Sequence, residues 1–213
     1  MYWIGEELVF PPHELATEDG VLAIGGDLSV ERLVFAYANG IFPWFNEGEP
    51  IVWYSPWERM VLFPESVKVS KSMKQIIKKG TFTITENTAF KEVIKNCKII
   101  ERKDQEGTWI TNDMEEAYLS LYNKGFAKSI EVWQTNPDSS KILVGGLYGV
   151  DLKNGVFCGE SMFSKVSNAS KLAFIHLATK GGYRLIDCQV YNSHLASLGA
   201  DEIPRKEFLK FLE

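Results

Sequence analysis

The chain has 213 residues, 45% of them hydrophobic, which is enough to bury one sizeable core or a main core with a smaller lobe beside it. The formal net charge of -5 argues against a protein that coats nucleic acid through a broad positive field, although a local basic patch is permitted. Acidic Glu6 and Glu7 stand where a signal peptide needs basic residues, no apolar run approaches the roughly 20 residues of a membrane span, and the three cysteines are far apart. We therefore expect a cytoplasmic protein with no contact to membranes.

The first quarter of the chain predicts a small lobe. A helix is expected over residues 28–38, with Asp27 or Ser29 as its N-cap and Gly40 as its stop. An aromatic segment and two short strands, around Val52 and Val61, follow it. Because the next break falls near Pro64, we predict a lobe over residues 1–64 and a larger domain over residues 65–213.

The larger domain alternates between helical and strand patterns. Asn112, with Glu115 three residues on, has the spacing of a capping box. A turn over residues 153–155 joins two strands. The predicted elements are a lysine-rich helix over 70–79, a strand over 81–85, helices over 88–97 and 114–123, strands over 129–133, 142–150 and 156–163, a helix over 168–179, a strand over 183–189, a short helix near His194 and a last helix after Pro204. This order indicates an α+β fold in which helices pack on a mixed sheet.

Two polar clusters interrupt the predicted strands. Glu160 lies in an otherwise apolar strand, where a carboxylate costs free energy unless it has partners, so such positions are often functional. The alternative is a glutamate at the sheet edge that contacts water. The two-residue period of a strand places Asp187 and Gln189 on one face, with Cys188 opposite. The pair could orient a substrate amine or could simply satisfy a loop.

A positive stripe lies on the first helix of the larger domain. Lys71, Lys74 and Lys78 recur at helical spacing, with Lys68 and Lys79 close by. Phosphates are a natural partner for such a stripe, and a solvated helix face is the alternative. The histidines and cysteines show no spacing of a metal site or of a catalytic triad, and the glycine pairs lack the spacing of a nucleotide cradle. We therefore expect neither a metal nor a cofactor.

Ten segments in register resemble the bacterial leucyl/phenylalanyl-tRNA-protein transferases, which act in the N-degron pathway of protein turnover. No single segment would suffice, but together they cover almost the whole chain. The matching residues are 25–29, 40–45, 55–56 with Arg59, 107–111, 145–150, 159–164, 169–171, 186–189, 197–200 and 203–205.

This resemblance implies a small N-terminal lobe packed on an acetyltransferase-like (GNAT-like) mixed-sheet domain. It also implies that leucine, phenylalanine or methionine passes from aminoacyl-tRNA to the α-amine of proteins that begin with arginine or lysine, marking them for degradation. Glu160, Asp187 and Gln189 would surround the reacting groups, and the five lysines would contact the tRNA acceptor stem. The amino-acid pocket and the platform for the 3′ adenosine would draw on Trp44, Trp109, Tyr118, Leu147, Phe157 and Met162. We expect a monomer.

In the implied reaction, an α-amine attacks an ester that is already activated. The enzyme has to align two reactants, stabilise an oxyanion and manage one proton. We assign Gln189, oriented by Asp187, to positioning and deprotonating the amine, and Glu160 to binding the amino group of the transferred residue. The sequence leaves open whether these roles are exchanged. It also leaves two rivals: an acyl-CoA N-acetyltransferase, whose glycine-rich pyrophosphate loop we do not find, and a module that binds tRNA ends without catalysis.

Overall fold

The computed structural model of the chain describes residues 2–100 and 109–213, so part of the predicted segment 107–111 lies outside the described residues. The strands are β1 (Tyr2–Ile4), β2 (Val21–Gly25), β3 (Phe42–Pro43), β4 (Val52–Tyr54), β5 (Glu58–Leu62), β6 (Phe82–Glu86), β7 (Ala127–Thr135), β8 (Lys141–Asp151), β9 (Val156–Ser164), β10 (Leu185–Gln189) and β11 (Asp201–Pro204). The α-helices are α1 (Val30–Ala38), α2 (Lys71–Lys79), α3 (Phe90–Ile99), α4 (Asn112–Asn123), α5 (Ala169–Lys180), α6 (Ser193–Ser197) and α7 (Arg205–Leu209).

The strands form two sheets. The smaller sheet has the order β1-β2-β4-β3, and the larger has the order β11-β5-β10-β9-β8-β7-β6. In the larger sheet β9 and β10 run parallel, whereas the other neighbouring pairs are antiparallel. The predicted α+β fold with a mixed sheet is therefore confirmed.

The larger sheet has a core on each face, because its side chains alternate. On β5, Val61 joins the core that also contains α1, α3, α4 and the small sheet, whereas Met60 and Leu62 join the core under α2 and α5. The first core takes residues from both sheets, including Trp53 of β4 and Tyr148 of β8. The N-terminal sheet thus packs directly on the face that carries α3 and α4.

Two helix starts show how local sequence sets the fold. Ser29 is the N-cap of α1, and its Oγ accepts a hydrogen bond from the Arg32 N–H at 3.3 Å. For α4 the predicted capping residue was wrong by one position: Thr111 is the N-cap and accepts from the Met114 N–H at 3.1 Å. Asn112 instead accepts from Lys98 Nζ at 2.6 Å.

Strand pairing between distant segments was not predicted in full. The predicted elements did not include β1, β2, β3 and β11, and the strand around Val61 was grouped with the small lobe. That strand is β5, which pairs with β10 and β11 in the larger sheet. The change from one sheet to the other therefore falls between Tyr54 and Glu58, before the boundary predicted after residue 64. The division of the chain into two domains stays a prediction.

Candidate active site

A cavity of about 440 Å³ lies where the pairing of β9 with β10 ends. The two strands pair over only three residues, and the last pair is Cys158 with Asp187. Glu160 of β9 and Gln189 of β10 both line the cavity. Its apolar lining includes Leu147, Phe157, Met162, Phe174, Leu177 and Ile186. A mostly apolar cavity with a few convergent polar groups is typical of a substrate site.

A β-bulge at Glu160 shapes one wall. Tyr148 pairs with Ser161 and Gly149 pairs with Gly159, so Glu160 is an extra residue on β9. In a regular strand, residues five apart point to opposite faces, but the extra residue brings Phe157 and Met162 to the same cavity. The bulge therefore places the carboxylate and completes the apolar lining at once.

Glu160 is partly buried and held by neutral donors. The Tyr118 hydroxyl donates to Oε2 at 2.7 Å, and Gln189 Nε2 donates to Oε1 at 2.8 Å. The Tyr118 hydroxyl is itself hydrogen-bonded to that of Tyr37. Burial is the main cause that raises the pKa of Glu160 to about 7, against the lowering effect of the tyrosine hydrogen bonds. The side chain can therefore gain or lose a proton near neutral pH.

Asp187 is fully buried and forms a bidentate ion pair with Arg59. Arg59 Nε and Nη2 donate to its two carboxylate oxygens at 2.7 and 2.6 Å. The Gln189 backbone N–H also donates to Asp187 Oδ1, at 2.8 Å. Asp187 thus positions Gln189 through the main chain, while the Gln189 amide is free to reach Glu160.

The alternation predicted for residues 187–189 does not hold. On β5, Val61 pairs with Asp187 and Met60 pairs with Gln189, so Cys188 is an extra residue. Gln189 takes a left-handed backbone conformation with φ 65°, and Cys188 lines the cavity beside it. Burial raises the pKa of the Cys188 thiol far above its usual range, which disfavours the nucleophilic thiolate at neutral pH.

Five of the six residues predicted for the pocket and the platform line the cavity. They are Trp44, Trp109, Leu147, Phe157 and Met162. Trp44 is 40% exposed and lies at the open side, whereas Trp109 is buried. The sixth, Tyr118, lies behind Glu160 with none of its surface exposed and reaches the site through its hydroxyl.

The five predicted lysines share one exposed surface. Lys71, Lys74, Lys78 and Lys79 lie on α2 and Lys68 lies just before it, while Met73 anchors the helix to the core. The Lys68 N–H donates to the Leu198 carbonyl at 2.8 Å, directly after α6. Because α6 contributes His194 and Leu195 to the cavity, the start of the lysine surface lies beside the helix that closes one side of the site.

Sequence reasoning missed two contributors to the site. Arg59 was named only among the segments that resemble the transferase family. An arginine in the apolar run of β5 nevertheless indicates a buried partner of opposite charge. Tyr37 gave no signal, because a tyrosine on the apolar face of a helix is usually a core residue.

Within residues 2–100 and 109–213, no cluster of three or more His, Cys, Asp or Glu side chains is placed to hold a metal ion. None of the helices in those ranges combines the length and the apolar character needed to cross a bilayer.

The fold and the site together provide an apolar cavity for one substrate group beside a carboxylate and an amide that can align a second, an arrangement that suits a transferase. Comparison with known proteins gives the family. The model described as leucyl/phenylalanyl-tRNA protein transferase matches residues 61–213, and that of its N-terminal domain matches residues 26–56. The chain belongs to this family of aminoacyltransferases.

Full-length relatives carry the same name. The leucyl/phenylalanyl-tRNA--protein transferase of Flavobacterium johnsoniae is 60% identical over 100% of this chain and 99% of its own. That of Flavobacterium psychrophilum is 58% identical over 100% of both. Among solved structures, FemX matches with a TM-score of 0.53 and 11% identity over 82% of this chain and 66% of its own, which supports the fold alone.

Proposed function

We propose that this chain transfers leucine, phenylalanine or methionine from aminoacyl-tRNA to the N-terminal α-amine of proteins that begin with arginine or lysine, and so marks them for degradation. The observation that carries the proposal is the cavity itself, which has apolar walls and ends at the Glu160–Gln189 pair. We further propose a cytoplasmic, monomeric enzyme whose small N-terminal lobe packs on an acetyltransferase-like domain.

The apolar part of the cavity suits the side chain of the transferred residue. Leu147, Phe157 and Met162 offer no polar atom that would select a hydrophilic side chain. One methylene in an apolar pocket changes binding by only about 1 to 3 kcal/mol, so several large unbranched side chains should be accepted. Trp44 lines the cavity and is partly exposed, and we propose that it stacks with the 3′ adenosine, an interaction worth about 1 to 3 kcal/mol for a base on an aromatic ring.

We assign deprotonation of the attacking amine to Glu160 and not to Gln189, which keeps only the role of positioning that amine. An amide such as that of Gln189 is not basic, whereas Glu160 has a pKa near 7 and opens to the cavity. Gln189 uses Nε2 to hold Glu160, and among the described residues no hydrogen bond engages its Oε1. That oxygen is available to accept from the attacking amine.

The reaction balances with these groups alone. The amine nitrogen attacks the ester carbonyl carbon and forms a tetrahedral oxyanion, while Glu160 accepts the proton that the nitrogen loses. The bond between the carbonyl carbon and the ribose oxygen then breaks, and the proton leaves with that oxygen as a hydroxyl. The products are the new peptide bond and a free tRNA end. Because the ester is already activated, alignment can supply on the order of 7 to 11 kcal/mol.

The Asp187–Arg59 pair supports this chemistry without taking part in it. Both side chains are at most 1% exposed, and both carboxylate oxygens of Asp187 are occupied by the arginine. Their contribution is to fix the backbone of Gln189. We also propose that the exposed lysines of α2, with Lys68, contact the phosphates of the acceptor stem next to the cavity.

The test is transfer of labelled leucine from leucyl-tRNA to two peptides that differ only in an N-terminal arginine or alanine, without coenzyme A. We expect label on the arginine peptide, and a loss of at least about 100-fold in Glu160→Gln with tRNA affinity retained. Label on neither peptide, with the tRNA bound and intact, would refute the proposal in favour of a binding module.

A further inference from the structure

A buried chain of hydroxyls runs from helix α1 to the reactive carboxylate. Tyr37 lies on α1 and does not line the cavity, yet its hydroxyl is hydrogen-bonded to the hydroxyl of Tyr118 on α4. Tyr118 in turn donates to Glu160 Oε2 at 2.7 Å. The two tyrosines are 1% and 0% exposed. Because buried hydroxyls cost free energy unless they are paired, these partners hold one another in place.

The order of the donors gives the chain a direction. A tyrosine hydroxyl has one hydrogen, and Tyr118 gives its hydrogen to Glu160. The hydrogen between the two hydroxyls must then come from Tyr37. A hydroxyl that accepts one hydrogen bond becomes a stronger donor in the next. Tyr37 therefore strengthens the bond that Tyr118 makes to the carboxylate.

We propose that Tyr37 is a positioning residue for the transfer reaction, acting on Glu160 through Tyr118. The inference rests on the function proposed above, in which Glu160 handles the proton. Tyr37 keeps one carboxylate oxygen directed at Tyr118, so that the carboxylate keeps its orientation and its charged form is favoured. It also makes the N-terminal helix α1 a part of the site.

Other charged and polar groups also face Glu160. Gln189 of β10 donates to its second oxygen. Asp187 of β10 repels its charge and Arg59 of β5 offsets that repulsion, the two being joined in an ion pair. Cys158 of β9 faces Glu160 as a neutral thiol, because burial raises the pKa of its sulfur well above the usual value. The tyrosines thus share with Gln189 the task of stabilising the charged carboxylate.

A third tyrosine, Tyr148 on β8, also borders this group: its ring packs edge-on against Tyr118, with 5.4 Å between ring centroids. The Tyr118 and Tyr37 hydroxyls both lower the pKa of Glu160, Tyr118 with the larger effect, in opposition to burial, which raises it. Removing the Tyr37 hydroxyl should therefore move the pKa of Glu160 upward.

The experiment is a pH profile of kcat/KM for transfer to the arginine peptide, from about pH 5.5 to 9, in the parent, Tyr37→Phe, Tyr118→Phe and the double variant. In Tyr37→Phe we expect the acidic limb to move up by about half a unit to one unit, a loss of roughly threefold to tenfold at pH 6 that fades above pH 8. All variants act on the same acceptor peptide, so titration of its amine affects them equally. This effect cancels when kcat/KM of each variant is divided by kcat/KM of the parent at the same pH. In the Tyr118→Phe background the second substitution should add a clearly smaller shift than Tyr37→Phe causes alone, because Tyr118 no longer relays its effect.

Tyr122→Phe is the matched control, because Tyr122 lies on the same helix and donates to the Asn87 carbonyl at 2.8 Å without contact to Glu160. It should leave the acidic limb in place, and circular dichroism should show all variants folded. A Tyr37→Phe limb that coincides with the parent, or a shift in the double variant as large as the one that Tyr37→Phe causes alone, overturns the inference while the parent still transfers leucine. A parent that transfers nothing overturns the proposed function, and this inference with it.

Discussion

At the scale of single residues, the burial of Glu160 lowers stability while it gives the carboxyl group the proton affinity that its proposed role requires. An exposed glutamate would keep its ordinary pKa of about 4.5, but this carboxyl group is buried among tyrosines and has a pKa of about 7. Burial therefore costs free energy whenever the group is ionised. The same burial brings its proton affinity close to that of the amine it would serve.

This cost predicts how stability depends on pH. Between pH 4.5 and 7 the native state holds a proton on Glu160 that the unfolded state has released, so stability should fall as pH rises through this window and level off above it. The shift corresponds to a loss of about 3 kcal/mol. Glu160→Gln should remove this loss. The free energy of unfolding of the variant, measured relative to that of the parent, should therefore rise by about the same amount between pH 4.5 and pH 8.

Urea unfolding of both proteins at several pH values measures the difference. Ionisable groups other than Glu160 contribute equally to the two proteins. Stability profiles for parent and variant that run parallel from about pH 4.5 to 8 would show that Glu160 has an ordinary pKa.

At the scale of elements, two bulges make the site. The extra residue on β9 is Glu160 and the extra residue on β10 is Cys188, and both lie where the parallel pairing of these strands ends. A regular strand could not present Phe157, Glu160 and Met162 to one cavity. Close approach of the backbones at Gly149 accompanies the first bulge, because a Cβ there would meet the Cys158 carbonyl oxygen at 2.2 Å.

Gly149→Ala should therefore disturb the bulge. The added methyl would also meet the ring of Phe157 at 2.7 Å, so β8 and β9 would have to separate. We expect a loss of about 1 to 3 kcal/mol in the free energy of unfolding, with transfer reduced because Glu160 moves.

The matched change is Gly159→Ala, where the nearest atom is the Asp187 carbonyl oxygen at 3.4 Å, an ordinary distance. Its free energy of unfolding should stay within about 0.5 kcal/mol of that of the parent, once the intrinsic effect of replacing a glycine by an alanine is subtracted. Thermal or urea unfolding of both variants compares them, and equal losses would argue against a tight bulge at Gly149.

At the scale of the whole molecule, the charges are unevenly placed. The net charge is -5, yet five lysines lie together on and just before α2, beside the helix that lines the cavity. The described structure therefore has a local cluster of positive charge next to the cavity on a chain whose net charge is negative. This arrangement is consistent with the proposal that these lysines bind a tRNA end while the chain lacks a general affinity for nucleic acid.

The triple variant Lys71→Gln, Lys74→Gln and Lys78→Gln should weaken leucyl-tRNA binding. The log–log salt slope of binding should become shallower by about one unit for each phosphate that the lysines no longer neutralise. The double variant Lys91→Gln and Lys95→Gln is the control, because these exposed lysines lie on α3, on the opposite face of the sheet. Filter binding between roughly 50 and 300 mM salt, the range in which such charges are screened, provides the slopes. Equal slopes in all three proteins would refute a role for the α2 lysines.

The sequence by itself determined the features that depend on local chemistry. The start of α1 at Asp27 or Ser29, the lysine face of α2, the hairpin of β8 with β9 and the α+β class follow from residues close together in the chain, and the structure selects Ser29 as the cap. Glu160, Asp187 and Gln189 also stood out locally, because polar groups in apolar strands need partners.

Only the tertiary structure decided which residues are the partners of these polar groups. Arg59 meets Asp187 across 128 residues of sequence, and Tyr37 meets Tyr118 across 81. The edge strand β11 and the place of β5 in the larger sheet likewise depend on pairing between distant segments. A bulge is a mismatch between two strands, so neither strand alone encodes it. The sequence could therefore name the candidate reactive groups, whereas their geometry and proton affinity depend on how distant segments pack.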